Sequence, residues 1–233
     1  MIDIVIPVHA TREHPTEKCF EYCLDTLADT TNVDYRLIIV DDFSDVHGQM
    51  IISYLAQQHR ACKDAIYHRT PKQKWFTRAV NIGLSYVQTE RALCLNSDVI
   101  LTPGWLEELY AVWDNAAFVT GRKVGLVGSV MSPHDPRRWI ETRKPDYVTG
   151  HAWLLSMEAM HAVANSRGTP GKFLDETKIE CIHIKSDVYL CYDMNRLGYG
   201  TFIATKSNVG HEGGKSWGHN LAKVFSLKLK DVD

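Results

Sequence analysis

The chain opens on an almost unbroken apolar run, Ile2–Val8, with Pro7 near its end. A strand that is apolar at nearly every position is buried on both faces, as the strands of parallel sheets are. The period then changes: across Thr16–Leu27, residues Cys19, Phe20, Cys23, Leu24 and Leu27 recur at helical spacing. Tyr35–Val40 is a second apolar strand, Met50–Leu55 a helix and Ala65–His68 a short strand. Phe76–Val87 is a helix with Phe76, Val80, Gly83 and Leu84 along one stripe. Arg91–Leu95 is the next strand, stopped by the polar trio Asn96-Ser97-Asp98. Thr102 is an N-cap candidate and Pro103 is tolerated at a first helical position, so a helix is expected over Trp105–Asp114. This alternation of strand and helix implies right-handed crossovers and a parallel sheet.

The rhythm then breaks. Val124–Val130 reads as a strand with glycines at its edges, and Ser132–Asp146, with three prolines, as a long polar loop. Tyr147–Leu155 is a strand candidate followed by a short helix from Met157, and Arg167–Gly171 is a turn cluster. Ser186–Leu197 reads as a helix closed by Gly198, and Thr201–Ala204 as a last strand. The tail, Gly210–Asp233, is rich in Gly, His and Lys.

Composition narrows the class. The 233 residues are 45% hydrophobic and 23% charged, ordinary for a globular protein, and a net charge of −2 gives no global pull toward nucleic acid or membrane. No run is long and apolar enough to span a bilayer, and no amphipathic anchor is evident. Met1-Ile2-Asp3-Ile4-Val5 lacks the charged and apolar regions of a signal peptide. The six scattered cysteines read as reduced thiols, so a cytoplasmic location is expected.

Two strands end in acidic corners, Asp41-Asp42 and Asp98. Ligands of open α/β sheets bind at carboxyl strand ends. One carboxylate there can accept from a base or ribose, and another can hold Mg²⁺ or Mn²⁺ beside phosphate oxygens. Neither G-x-x-x-x-G-K-[ST] nor G-x-G-x-x-G after a strand occurs, so a metal is the natural substitute for a phosphate-cradling loop. Trp105 and Trp153 read as packing residues.

Four segments in this order resemble the family 2 glycosyltransferases of GT-A fold: Ile4-Val5-Ile6-Pro7-Val8, Val40-Asp41-Asp42-Phe43-Ser44-Asp45, Phe76-Thr77-Arg78-Ala79-Val80-Asn81-Ile82-Gly83, and Leu95-Asn96-Ser97-Asp98 with Thr102-Pro103-Gly104-Trp105. Further on, Ser186-Asp187-Val188-Tyr189-Leu190-Cys191 with Leu197-Gly198-Tyr199 resembles the family's acceptor-side helix, and Val209–Ser216 its late histidine motif. The resemblance implies an α/β fold with a Rossmann-like, mostly parallel central sheet and helices on both faces. It implies one domain over 1–233, with a nucleotide-sugar half (1–115) and an acceptor half (116–233). Pro7, His9, Arg78, Asn81, Asn96 and Ser97 would surround a UDP-sugar, with Asp41 or Asp42 on the uracil or ribose. Asp98 and His211 would hold Mn²⁺ or Mg²⁺, and Asp187 would be the general base of a single, inverting displacement onto an acceptor hydroxyl.

The sequence also departs from the family pattern. Ser186 stands where a Glu is usual, Tyr189 where a second Asp is common, Gln73 for a frequent Asn, and Trp75 where a Gly often precedes the Phe. These changes leave the sugar and the acceptor open. The acceptor is a glycan or another hydroxyl compound. The basic, aromatic segment Arg137, Arg138, Trp139, Arg143, Lys144 and Tyr147 would also suit DNA carrying hydroxymethylated pyrimidines, with the base flipped or single-stranded. Two readings of other classes are a sugar-phosphate nucleotidyltransferase, which needs a Gly-rich basic loop where Pro7–Arg12 stands, and a non-catalytic sugar-nucleotide binder.

Overall fold

A computed structural model describes residues 1–13, 15–58, 64–130, 139–142, 147–177 and 186–211. The strands are β1 (Ile2–Val8), β2 (Tyr35–Asp41), β3 (Asp64–Arg69), β4 (Arg91–Leu95), β5 (Val99–Leu101), β6 (Val124–Val130), β7 (Trp139–Glu141), β8 (Ala152–Ser156) and β9 (Gly200–His211). The helices are α1 (Glu17–Thr30), α2 (Val46–Gln58), α3 (Trp75–Leu84), α4 (Trp105–Thr120), α5 (Met157–Ser166) and α6 (Ser186–Arg196). One sheet runs in the order β3-β2-β1-β4-β8-β6-β9-β5, with β7 also on β9. The β3-β2-β1-β4 half is parallel throughout. The second half is mixed: β8 is antiparallel to β4 and β6, β6 is parallel to β9, and β5 and β7 are antiparallel to β9.

β1, β2, β4, β6 and β8 are buried at nearly every position because each face of the sheet is covered. Ile4, Ile6, Val8, Leu37 and Ile39 pack with Phe20, Cys23 and Leu27 of α1, Ile52 of α2 and Trp105, Leu109 and Val112 of α4. Val5, Ile38, Cys94 and Leu155 face the other way, onto Val80 and Leu84 of α3, Met160 of α5 and Leu190, Cys191 and Met194 of α6. Trp105 and Trp153 are fully buried, as packing residues. At Gly83, an added Cβ would meet Val5 Cγ1 at 2.3 Å and Val40 Cγ2 at 3.3 Å. The glycine therefore lets α3 lie directly on β1 and β2.

Two ends show how local chemistry sets the boundaries. Gly198, at φ +88°, closes α6, with Tyr199 N–H donating to Met194 O at 2.9 Å and Gly198 N–H to Asn195 O at 3.1 Å. At α4, Thr102 does not cap the helix. Its hydroxyl donates to Asn208 O of β9 at 2.7 Å, and Gly104, at φ +82°, stands before Trp105 instead. The four described cysteines, Cys19, Cys23, Cys94 and Cys191, are free thiols. No helix among the described residues is long and apolar enough to cross a membrane.

Candidate functional site

β1 and β2 are parallel and in register, with Pro7 opposite Val40 and Val8 opposite Asp41, so the loops that follow both strands meet at one edge. Asp42 N–H donates to Val8 O at 2.8 Å and Asp45 N–H to Ala10 O at 3.1 Å. Ala10 N–H donates to Ser44 Oγ at 2.9 Å. His9 Nδ1 lies 2.7 Å from Asp42 O. A carbonyl only accepts, so Nδ1 carries the proton here.

Both acids of the β2 corner are fully buried and engaged within the protein. Asp41 Oδ1 accepts from Ser44 N–H at 2.9 Å, and Oδ2 accepts from the Tyr67 hydroxyl at 2.6 Å and lies 3.6 Å from Arg69 Nε. Asp42 Oδ1 accepts from Lys74 N–H at 2.6 Å and Thr70 Oγ1 at 3.1 Å, while Oδ2 accepts from Trp75 N–H at 2.8 Å. Asp42 thus caps α3 from a distant loop, a placement that the helix dipole favours. Burial raises its carboxyl above the ordinary value, against the opposing pull of the Lys74 and Trp75 amides. Trp75, held by that bond, has φ +67°. A bulky residue in the left-handed region is a genuine outlier.

Arg78 and Asn81, one and two turns further along α3, reach toward residues 174–176. Asn81 Oδ1 accepts from Leu174 N–H at 2.7 Å, and Nδ2 donates to Leu174 O at 3.0 Å and Glu176 Oε1 at 2.7 Å. Arg78 Nε lies 3.6 Å from Glu176 Oε2. Asp175, largely buried, accepts from Thr177 N–H at 2.9 Å. The sequence reading missed this acidic pair; its signal is the buried Phe173-Leu174 that sets Asp175-Glu176 at a turn.

The β4 corner is deeply set. Ser97 and Asp98 are buried, and Asn96 N–H donates to His151 O at 2.9 Å. Ser97 Oγ is buried with no hydrogen-bond partner among the described residues. The Cys23 thiol of α1 is pushed up first by burial and then by the Asp98 charge, which marks how near the two groups lie. One residue beyond Asp98, Val99 pairs in antiparallel register with His211 of β9.

Asp187 is half-buried in the first turn of α6. Its Oδ1 accepts from Val188 N–H at 2.8 Å. Burial pushes its carboxyl up to about 6, partly offset by the amides of Val188 and Gly150. Gly150 and His151 are consecutive, so one short segment touches Asp187 on one side and Asn96 on the other. The Val148 N–H donates to Cys191 Sγ at 3.4 Å and ties this segment to α6.

The fold therefore brings Pro7, His9, Asp41 and Asp42 to the ends of β1 and β2, Asn96, Ser97 and Asp98 to the end of β4, which pairs with β1, and Asp187 beside the latter. The His211 side chain, Gly213, Gly214, Arg137, Arg138, Arg143 and Lys144 lie outside the described residues. Trp139 Nε1–H donates to Asn115 Oδ1 at 2.7 Å, and its ring meets Phe202 edge-on. Among the described residues no three His, Cys, Asp or Glu side chains cluster as a cation site. The buried Asp98 carboxylate is of the donor type that suits Mn²⁺ or Mg²⁺.

The profile of Glycosyl transferase family 2 matches residues 3–160. The fold is that of GT-A glycosyltransferases. A mannosyltransferase from Pyrobaculum calidifontis, solved with GDP-Man and Mn²⁺, superimposes with a TM-score of 0.64 at 14% identity, covering 90% of this chain and 56% of that one. S. aureus TarS, residues 1–349, gives 0.55 at 12% identity, covering 89% and 59%. The chain thus spans a little over half the length of these solved proteins. No curated protein sequence matches it.

Proposed function

The chain belongs to glycosyl transferase family 2, and from that premise we propose that it moves a sugar from a UDP-sugar to an acceptor hydroxyl with inversion, by one displacement and with a divalent cation. It acts as one domain, residues 1–115 binding the donor and 116–233 the acceptor. The observation that carries this reading is the Gly150-His151 bridge, which sets Asp187 beside the Asn96-Ser97-Asp98 corner.

Pro7, His9 and the Asp41-Asp42 corner receive the base and ribose, with Arg78 at the donor's flank and Asn96 and Ser97 toward the diphosphate. Asn81 acts at one remove, holding Leu174 and Glu176 in place. Asp98 and His211 would hold the cation, which would supply charge stabilisation to the leaving diphosphate. The Ser97 hydroxyl, buried and unpartnered among the described residues, is a donor suited to a phosphate oxygen. Asp187 takes the acceptor's proton. A carboxyl at about 6 is ionised at neutral pH yet basic enough to accept a proton in the transition state, a contribution of about 10²–10⁴-fold.

The relative solved with GDP-Man and Mn²⁺ supports a nucleoside-diphosphate sugar and a divalent cation. Uracil as the base rests on the sequence resemblance. Titration calorimetry of UDP, GDP and their sugars, with and without Mn²⁺, tests the reading. Mn²⁺-dependent binding of UDP over GDP, followed by UDP release from a UDP-sugar, is expected. The absence of any Mn²⁺-dependent nucleotide binding would overturn it.

A further inference from the structure

Trp75 combines three features. Its φ of +67° is a conformation that costs a bulky L residue stability. It is a half-buried indole that joins neither of the two core clusters. And its backbone is fixed from outside the helix, by Asp42 Oδ2 on its N–H at 2.8 Å. Strain held in place by a clamp is found at functional sites, where it aims a group at a ligand.

Taking the donor reading above as its basis, we propose that the Trp75 indole is the platform on which the donor's nucleobase stacks. The Asp42 that clamps the Trp75 amide is also bonded through its peptide oxygen to His9 Nδ1, so the Trp75 backbone is tied to the β1–β2 edge, where the donor reading puts base and ribose. The reacting end of the donor lies elsewhere. Asp98 follows β4, and β1 stands between β2 and β4. At about 4.8 Å per strand, the β2 corner and the β4 corner are roughly 10 Å apart, about the reach of a nucleoside diphosphate and too far for one ring to serve both ends. An indole face accepts any base, because every base has a π-face. Trp75 therefore adds affinity without choosing between uracil and guanine.

The test is calorimetric titration of the full chain with UDP, GDP and pyrophosphate in Mn²⁺, for the wild type, Trp75→Gly and Trp75→Phe, with Tm measured for each. Trp75→Gly is expected to weaken UDP and GDP alike, by about tenfold or more, to leave pyrophosphate within about twofold, and to keep or raise Tm, because glycine accepts the positive φ. Trp75→Phe should retain most of the nucleotide affinity. Wild-type nucleotide affinity in Trp75→Gly, or an equal loss for pyrophosphate, overturns the platform while leaving the transferase reading standing. If the wild type binds no nucleotide, the transferase reading fails first and the platform with it.

Discussion

Asn81 grips both backbone groups of Leu174: its Oδ1 accepts from the Leu174 amide at 2.7 Å and its Nδ2 donates to the Leu174 carbonyl at 3.0 Å. The residue lies within the donor motif, yet its amide is spent on joining α3 to the turn at 173–177. Asn81→Ala leaves two buried backbone groups without their partner, each costing about 1–3 kcal/mol. For the two groups together, the expected fall in Tm is roughly 4–24 °C at about 2–4 °C per kcal/mol. UDP affinity in the folded fraction should change little. A large loss of UDP affinity with Tm unchanged would return Asn81 to direct donor contact.

Gly83 is where α3 rests on the sheet. A methyl group there would meet Val5 Cγ1 at 2.3 Å, a clash that a shift of the helix or of the buried Val5 side chain must relieve. Gly83→Ala should therefore destabilise by about 1–3 kcal/mol despite alanine's better helix propensity. Chemical denaturation would show a lower midpoint with an unchanged slope. A midpoint at or above that of the wild type would mean that α3 is not held that closely.

The parts of this fold that were legible in the sequence are those buried on both faces. Ile2–Val8, Arg91–Leu95 and Val124–Val130 coincide with the strands because apolar residues dominate each run, and Gly198 ends its helix as its conformational freedom suggests. β5 reads as a link because three residues carry no period, and its burial alternates only through pairing with β9. β9 runs to twelve residues rather than four because its polar second part, with Lys206 and Asn208, is a strand only by virtue of its partners. β7 hides in a polar, proline-rich stretch and exists through its pairing with β9. Within the site, the acidic corners are legible because each follows an apolar run. What each acid holds is not: the Tyr67 hydroxyl on Asp41 comes from the next strand, and the Trp75 amide on Asp42 from a later helix.

The β5–β9 pairing bears directly on the proposed cation site. Val99, which follows Asp98, stands opposite His211 of β9. Asp98→Ala should abolish Mn²⁺-dependent UDP binding, and His211→Ala should weaken it less, since neutral imidazole contributes no charge. Both variants should keep the far-ultraviolet circular dichroism of the wild type. Unchanged UDP affinity and unchanged Mn²⁺ dependence in Asp98→Ala would remove it from the cation site.

Asp187 as the proposed base sets an expected pH dependence. Its carboxyl is pushed up to about 6 by burial, above the 3.8 of an unperturbed Asp. The base must be ionised to accept a proton, so kcat/KM should rise with pH through about 6 and level off above it. The stability effect has the opposite sign. The folded state holds the proton more tightly than the unfolded chain, so the contribution is full below 3.8 and is lost as pH rises through about 6. Asp187→Asn keeps the shape and the hydrogen bond from Val188 but cannot take a proton. It should lower kcat by about 10²-fold or more, leave UDP affinity nearly unchanged, and erase the acidic limb of the rate profile. Ser186 and Tyr189, beside it on α6, supply no carboxylate in its place. Full turnover in Asp187→Asn with any acceptor that the wild type uses, or an acidic limb that survives the substitution, would assign the proton to another group.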